Sequence, residues 1–74
     1  MLTVREAAGV VRELREGRQW SQTELARIAG VSRSFIVDLE GAKPTIEASK
    51  LLDVFQALGF EFALRALDTG EVRW

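Results

Sequence analysis

From residue 3 to residue 58 the apolar side chains of this chain recur every three or four positions, and from residue 60 they alternate. The first pattern belongs to helices with one buried face, the second to a strand. Val4, Ala7, Ala8, Val11 and Leu14 line one side of a first helix that opens with the capping-box pair Thr3 and Glu6 and ends near Gly17. Arg12, Arg15 and Glu16 fall on its wet face. A second capping box, Ser21 with Glu24, opens the next helix, and Trp20 stands where a hydrophobic staple would close on Leu25. Ser32 suits the N-cap of a third helix that runs to about Glu40, with Phe35, Ile36 and Leu39 turned inward. Residues 41–44 read as a loop and Thr45 as the cap of a fourth helix. Ile46, Leu51, Leu52, Val54, Phe55 and Leu58 give that helix an apolar face broad enough to pack on two sides, and Gly59 suits its left-handed end.

The middle of this pattern is the most specific part. In QTELARIAGVSRSFIVDLEG, residues 22–41, two short helical patterns flank a single glycine. Leu25, Ala26 and Ala29 face one way and Ile36 and Leu39 the other, so a sharp turn at Gly30 and Val31 closes both faces on one core. Such a helix-turn-helix needs a small residue where the helices touch, a glycine that tolerates positive φ, and an apolar residue inside the turn. Ala26, Gly30 and Val31 supply them.

At Phe60 the period becomes two: Phe60, Phe62, Leu64 and Ala66 share one face of a strand, with Glu61, Ala63, Arg65 and Leu67 on the other. Asp68, Thr69 and Gly70 form a turn, and residues 71–74 a short returning strand. A lone hairpin is marginal in water and leaves open edges. Pairing with the same segment of a second subunit removes that problem, which makes Phe60, Phe62 and Leu64 the candidate dimerisation residues. The chain then divides into a helix-turn-helix domain, residues 1–59, and a C-terminal β dimerisation segment, residues 60–74, within one compact unit. The fold class is mostly α.

Composition narrows the function. The chain has 74 residues, 47% of them hydrophobic, and neither cysteine nor histidine. A domain this small without a staple relies on well-packed helices or a second copy of itself. Thiol nucleophiles, imidazole bases and the commonest metal ligands are excluded, and pairs of acids such as Glu13 and Glu16 or Asp38 and Glu40 read as solvated helix faces, so we expect neither an enzyme nor a cofactor. No apolar run approaches the roughly 18 residues of a membrane span, and the N-terminus lacks a signal-peptide pattern, so the expected location is cytoplasmic. The net charge of −1 rules out binding polyanions through bulk charge. Eight of the ten basic residues precede residue 51, so the N-terminal two thirds carries the local basic face.

With the core face of the third helix spoken for, Arg33, Ser34, Val37 and Asp38 remain outward. The first turn of a recognition helix enters the major groove, where arginine can donate twice to guanine and an apolar side chain such as Val37 can meet a thymine methyl. Asp38 either accepts from a cytosine amino group or repels unwanted phosphates. Gln22 and Thr23 begin the preceding helix, whose free N–H groups favour a phosphate. Lys43 and Arg18 are flanking phosphate candidates, positioning without reading sequence.

The string WSQTELARIAGVSRSFIVDLEGAKPTIEASKLLDVFQALG resembles the Xre/Cro family of bacterial and phage repressors, and the ending GFEFALRAL resembles its HipB-like antitoxins. The likeness implies a four-helix, lambda-repressor-like domain whose C-terminal strand pairs across an intertwined homodimer. It also implies a palindromic double-stranded DNA operator with half-sites about 34 Å apart, autoregulation of an operon, and a HipA-like kinase toxin as partner; a stand-alone repressor is the alternative. The family's DNA-facing residues carry over to Gln22, Thr23, Ser32, Arg33, Ser34 and Val37. One departure is that the glycine after the recognition helix stands at Gly41, one place early, which makes Lys43 the replacement for the loop's phosphate contact. Trp74 either finishes the hairpin core or serves as an anchor for a protein partner.

Overall fold

The computed structural model describes residues 3–73, and Trp74 therefore lies outside the described residues. These form four helices, α1 (Val4–Gly17), α2 (Gln22–Ala29), α3 (Arg33–Glu40) and α4 (Ala48–Ala57), followed by a hairpin of β1 (Leu64–Arg65) and β2 (Val72–Arg73). The expected mostly-α architecture with a C-terminal hairpin is what the chain adopts.

Side chains start three of the helices. Thr3, Ser21 and Ser32 each accept a hydrogen bond from the backbone N–H three residues on, at 3.1, 3.0 and 3.0 Å. At Ser21 the box is reciprocal, because Glu24 accepts in turn from the Ser21 N–H at 2.9 Å. At Thr3 it is not: the Glu6 carboxylate accepts from the Thr3 hydroxyl instead. The fourth helix corrects the sequence reading, since Thr45 does not cap it. It begins at Ala48 behind Glu47, which makes no side-chain cap bond. Ile46 and Leu51, placed at the two staple positions around that cap, both pack on the core. The apolar staple sets the entry of α4, and the hydroxyl is left behind in the loop.

Each helix ends the same way. Gln19 (φ 58°), Gly30 (φ 76°), Ala42 (φ 57°) and Gly59 (φ 88°) occupy the left-handed region just beyond the four helices. The next N–H turns back to the carbonyl five residues earlier: Trp20 to Arg15, Val31 to Ala26, Lys43 to Asp38 and Phe60 to Phe55. At Gly30 an added Cβ would meet nothing within 4 Å, so glycine is there for its φ and not for space. After α3 the left-handed residue is Ala42, while Gly41 has an ordinary φ of −82°. The glycine has shifted in sequence; the turn has not.

The core joins all four helices. Val11, Leu25, Ile36, Leu39, Val54 and Leu58 have no exposed surface, and Ala26 at 4% lets α2 close on α3. Val31 packs on this cluster from inside the turn. The broad face of α4 is only partly used, for Val54, Phe55 and Leu58 are buried while Leu52 remains 43% exposed.

The hairpin is shorter than its alternation suggests. Leu64 pairs with Arg73 and Arg65 with Val72, and the turn is closed by the Ala66 N–H on the Glu71 carbonyl and the Gly70 N–H on the Ala66 carbonyl. Residues 60–63 have no ladder partner within the described chain and are not strand. Phe62 reaches back edge-on to Phe55, ring centroids 5.1 Å apart.

Because a left-handed conformation costs a non-glycine residue about 1–2 kcal/mol, offset in part by the greater chain entropy that glycine loses on folding, Ala42→Gly should stabilise the domain by up to about 1 kcal/mol. A rise in the urea midpoint at unchanged slope is the expected result; an unchanged or lowered midpoint contradicts the assignment.

Candidate nucleic-acid interface

Helix α3 has two faces of opposite character. Ile36 and Leu39 are fully buried, while Ser32, Arg33, Ser34 and Val37 are exposed, Val37 by 40%. The structure thus brings the four candidate base-reading residues onto one open surface at the start and middle of the helix. The Ser32 hydroxyl spends its acceptor on the Phe35 N–H at 3.0 Å and keeps its own proton to donate outward. Asp38, partly exposed one turn beyond Ser34, holds Lys43 at 3.5 Å. The N–H of Lys43 is also bound to the Asp38 carbonyl, so the loop lysine stays at the end of the same surface.

Gln22 and Thr23 stand at the start of α2, with Thr23 exposed and Gln22 partly buried. Gln22 is tied in place because its Nε2 donates to Glu40 Oε1 at 3.3 Å. One amide proton is used and the other remains.

Arg18 has a structural task. Its Nη2 donates to the Leu58 carbonyl at 2.8 Å, at the end of α4, and the guanidinium lies 5.4 Å from the Trp20 ring. It fastens the α1–α2 connection to the residue that follows α4.

Two residues read from sequence as solvated are not. Glu40 is buried, with 1% of its side chain exposed, and Arg15 keeps only 12% of its own. Arg15 Nε and Nη2 meet the two Glu40 oxygens at 2.7 and 3.0 Å, and Arg15 Nη1 donates to the Trp20 carbonyl at 2.8 Å. Arg12 Nε adds a longer contact to Glu40 at 3.5 Å. The signal was present in the spacing: Arg15 follows Val11 by four and Glu40 follows Ile36 by four, so each charge stands where its helix turns to the core. Opposite charges at inward positions of two helices identify such a pair, whereas each alone reads as surface.

Burial pushes the Glu40 carboxyl up, but the hydrogen bonds from Arg15 and Gln22 and the charge of Arg15 outweigh it, and the group is held below its ordinary value of 4.5. The Arg15 guanidinium is pushed up, chiefly by its bond to Glu40. Glu24 is likewise held down, by the Ser21 N–H and hydroxyl at the cap.

Known proteins share the helix-turn-helix fold. Residues 3–67 match the family model described as "Helix-turn-helix domain". The chain is 46% identical over 57 residues to the "Uncharacterized HTH-type transcriptional regulator y4mF" of Sinorhizobium fredii (strain NBRC 101917 / NGR234), covering 77% of this chain and 75% of that one. Two solved structures share the fold at 19% identity, each covering 92% of this chain and 96% of the other: "MDT Protein", with a TM-score of 0.79, and "Structure of HipA-HipB-O2-O3 complex", with 0.80.

A carboxyl with a lowered folded-state pKa contributes stability above its unfolded value and loses it as pH falls through the folded one. Thermal stability should therefore decline on acidification from pH 4.5 downward, in the range where Glu40 and Glu24 take up protons. Arg15→Ala leaves the buried Glu40 charge with only the longer contacts from Gln22 and Arg12 and should cost about 3–5 kcal/mol at pH 7. A loss below about 1 kcal/mol in denaturant titration would show that the pair contributes little.

Proposed function

The chain belongs to the helix-turn-helix domain family and is a DNA-binding transcriptional regulator, not an enzyme; from that premise we propose that it is a homodimeric, sequence-specific repressor. The observation that carries this reading is the two-faced α3: one side fully committed to the core, the other presenting Arg33, Ser34 and Val37 to solvent on a rigid, capped helix. Ser32, Arg33, Ser34 and Val37 read base edges. Gln22, Thr23 and Lys43 hold phosphates on either side of the groove.

The second copy is supported by the tail. Phe60, Phe62 and Leu64 are 49, 42 and 77% exposed, and Leu67 is 87% exposed, in a tail whose two-residue ladder is marginal by itself. Covering them against the same segment of a partner extends the sheet and sets two α3 helices across a two-fold axis, as a palindromic operator requires.

The repressor is, in this proposal, also the antitoxin that neutralises a HipA-like kinase and represses their shared operon. Support comes from the shared fold with a protein solved as a HipA–HipB–O2–O3 complex, together with the tail that follows α4. A stand-alone regulator is the other outcome. Co-purification of a kinase encoded beside the gene supports the antitoxin, and a neighbourhood with no such gene rejects it.

Two further results follow. In a gel-shift titration on duplex from upstream of its own gene, Arg33→Ala should lose about 1–3 kcal/mol, mostly as preference for that sequence over unrelated DNA; equal affinity of wild type and variant removes Arg33 from base readout. Leu64→Asp should leave the helical circular dichroism intact while converting a dimer to a monomer in sedimentation equilibrium. A wild type that sediments as a monomer contradicts the dimer.

A further inference from the structure

Glu40 has more donors than it needs. Arg15 already satisfies both carboxylate oxygens in a buried two-point contact, and Gln22 donates to one of them. Arg12 comes third, at 3.5 Å, on the same Oε1 that receives Gln22, yet 56% of its side chain is exposed. One charge neutralises Glu40 and the second guanidinium is surplus. Among the described residues the terminal nitrogens of Arg12 make no hydrogen bond. Sharing one oxygen atom places Arg12, from α1, beside Gln22, at the start of α2.

We infer that Arg12 is a phosphate-binding residue, which with the free amide proton of Gln22 forms a two-donor clamp on one backbone phosphate of the DNA, held in position by Glu40. The inference rests on the DNA-binding reading above and adds to it a residue on a helix that reading does not use. Glu40 fixes the clamp in two ways. As an acceptor it holds the Nε2 end of the Gln22 amide, which leaves that nitrogen a second proton to donate. Its charge also keeps the Arg12 stem from extending freely into water, which lowers the ordering cost when a phosphate arrives. Because Arg15 already balances Glu40, the clamp presents a net positive charge to the ligand in spite of the carboxylate beneath it.

The test is the salt dependence of binding by the intact protein, measured on its selected duplex and on an unrelated duplex. Replacing one phosphate-neutralising cation lowers the slope of log affinity against log salt by about 0.9. Arg12→Gln should show that loss on both duplexes with base preference unchanged, and Arg12→Lys should restore the slope. Gln22→Ala combined with Arg12→Gln should weaken binding by less than the product of the two single effects, because both hold one phosphate. Thermal melting separates a structural role, since a residue that only supports Glu40 lowers the melting temperature and leaves the slope alone. An unchanged slope in Arg12→Gln with wild-type DNA binding intact overturns this inference alone. A wild type that binds no DNA overturns the inference and the DNA-binding reading together.

Discussion

A single buried carboxylate is where four parts of this chain meet. Glu40 is the last residue of α3; Arg15 comes from α1, Gln22 from the start of α2, and through Arg15 the carbonyl of Trp20 fixes the turn between α1 and α2. Removing a charge from water is expensive, and the two-point guanidinium contact with its extra amide donor is what makes the position tolerable. The same geometry fixes the angle between α3 and the start of α2. The apolar core of Val11, Leu25, Ile36 and Leu39 supplies the bulk of the driving force. Greasy contacts alone tolerate small slides; a directional pair at the end of α3 resists them.

The rest of the domain is arranged so that α3 can remain short and rigid. It has eight residues, too few to be stable by itself, and is held by a hydroxyl cap at Ser32 and a backbone turn at Ala42. That turn keeps its left-handed residue although the glycine stands one place earlier, because the Lys43 N–H must return to the Asp38 carbonyl for the chain to leave the helix. Arg18 does comparable work at the far side, tying the Leu58 carbonyl just beyond α4 to the α1–α2 connection and lying against Gly59, where an added Cβ would come within 3.4 Å of its Nη2.

Local signals were easy to read and distant ones were not. The Ser21–Glu24 box, the turns at Gly30 and Gly59 and the inward faces of α1 to α3 depend on residues within five positions of one another, where spacing alone decides the outcome. The Arg15–Glu40 pair spans 25 positions, and a lone charge on a helical pattern reads as wet until its partner is found. Thr45 failed as a cap because Ile46, one residue later, gains more by packing on the core than a hydroxyl gains at a helix end. The β segment was legible as alternation but not in length, since a ladder extends only as far as its partner strand and here that partner is two residues long. The open face of α3 was legible in full: once Ile36 and Leu39 are inward, helical geometry leaves Arg33, Ser34 and Val37 no choice.

The central claim is that this surface is one half of a symmetric DNA reader. Selection of bound fragments from a random duplex pool, followed by sequencing, tests it most directly. The account predicts enrichment of an inverted repeat whose two half-sites lie about one helical turn apart, centre to centre. A pool that shows no enriched sequence, or a single half-site with no inverted copy at fixed spacing, would contradict it.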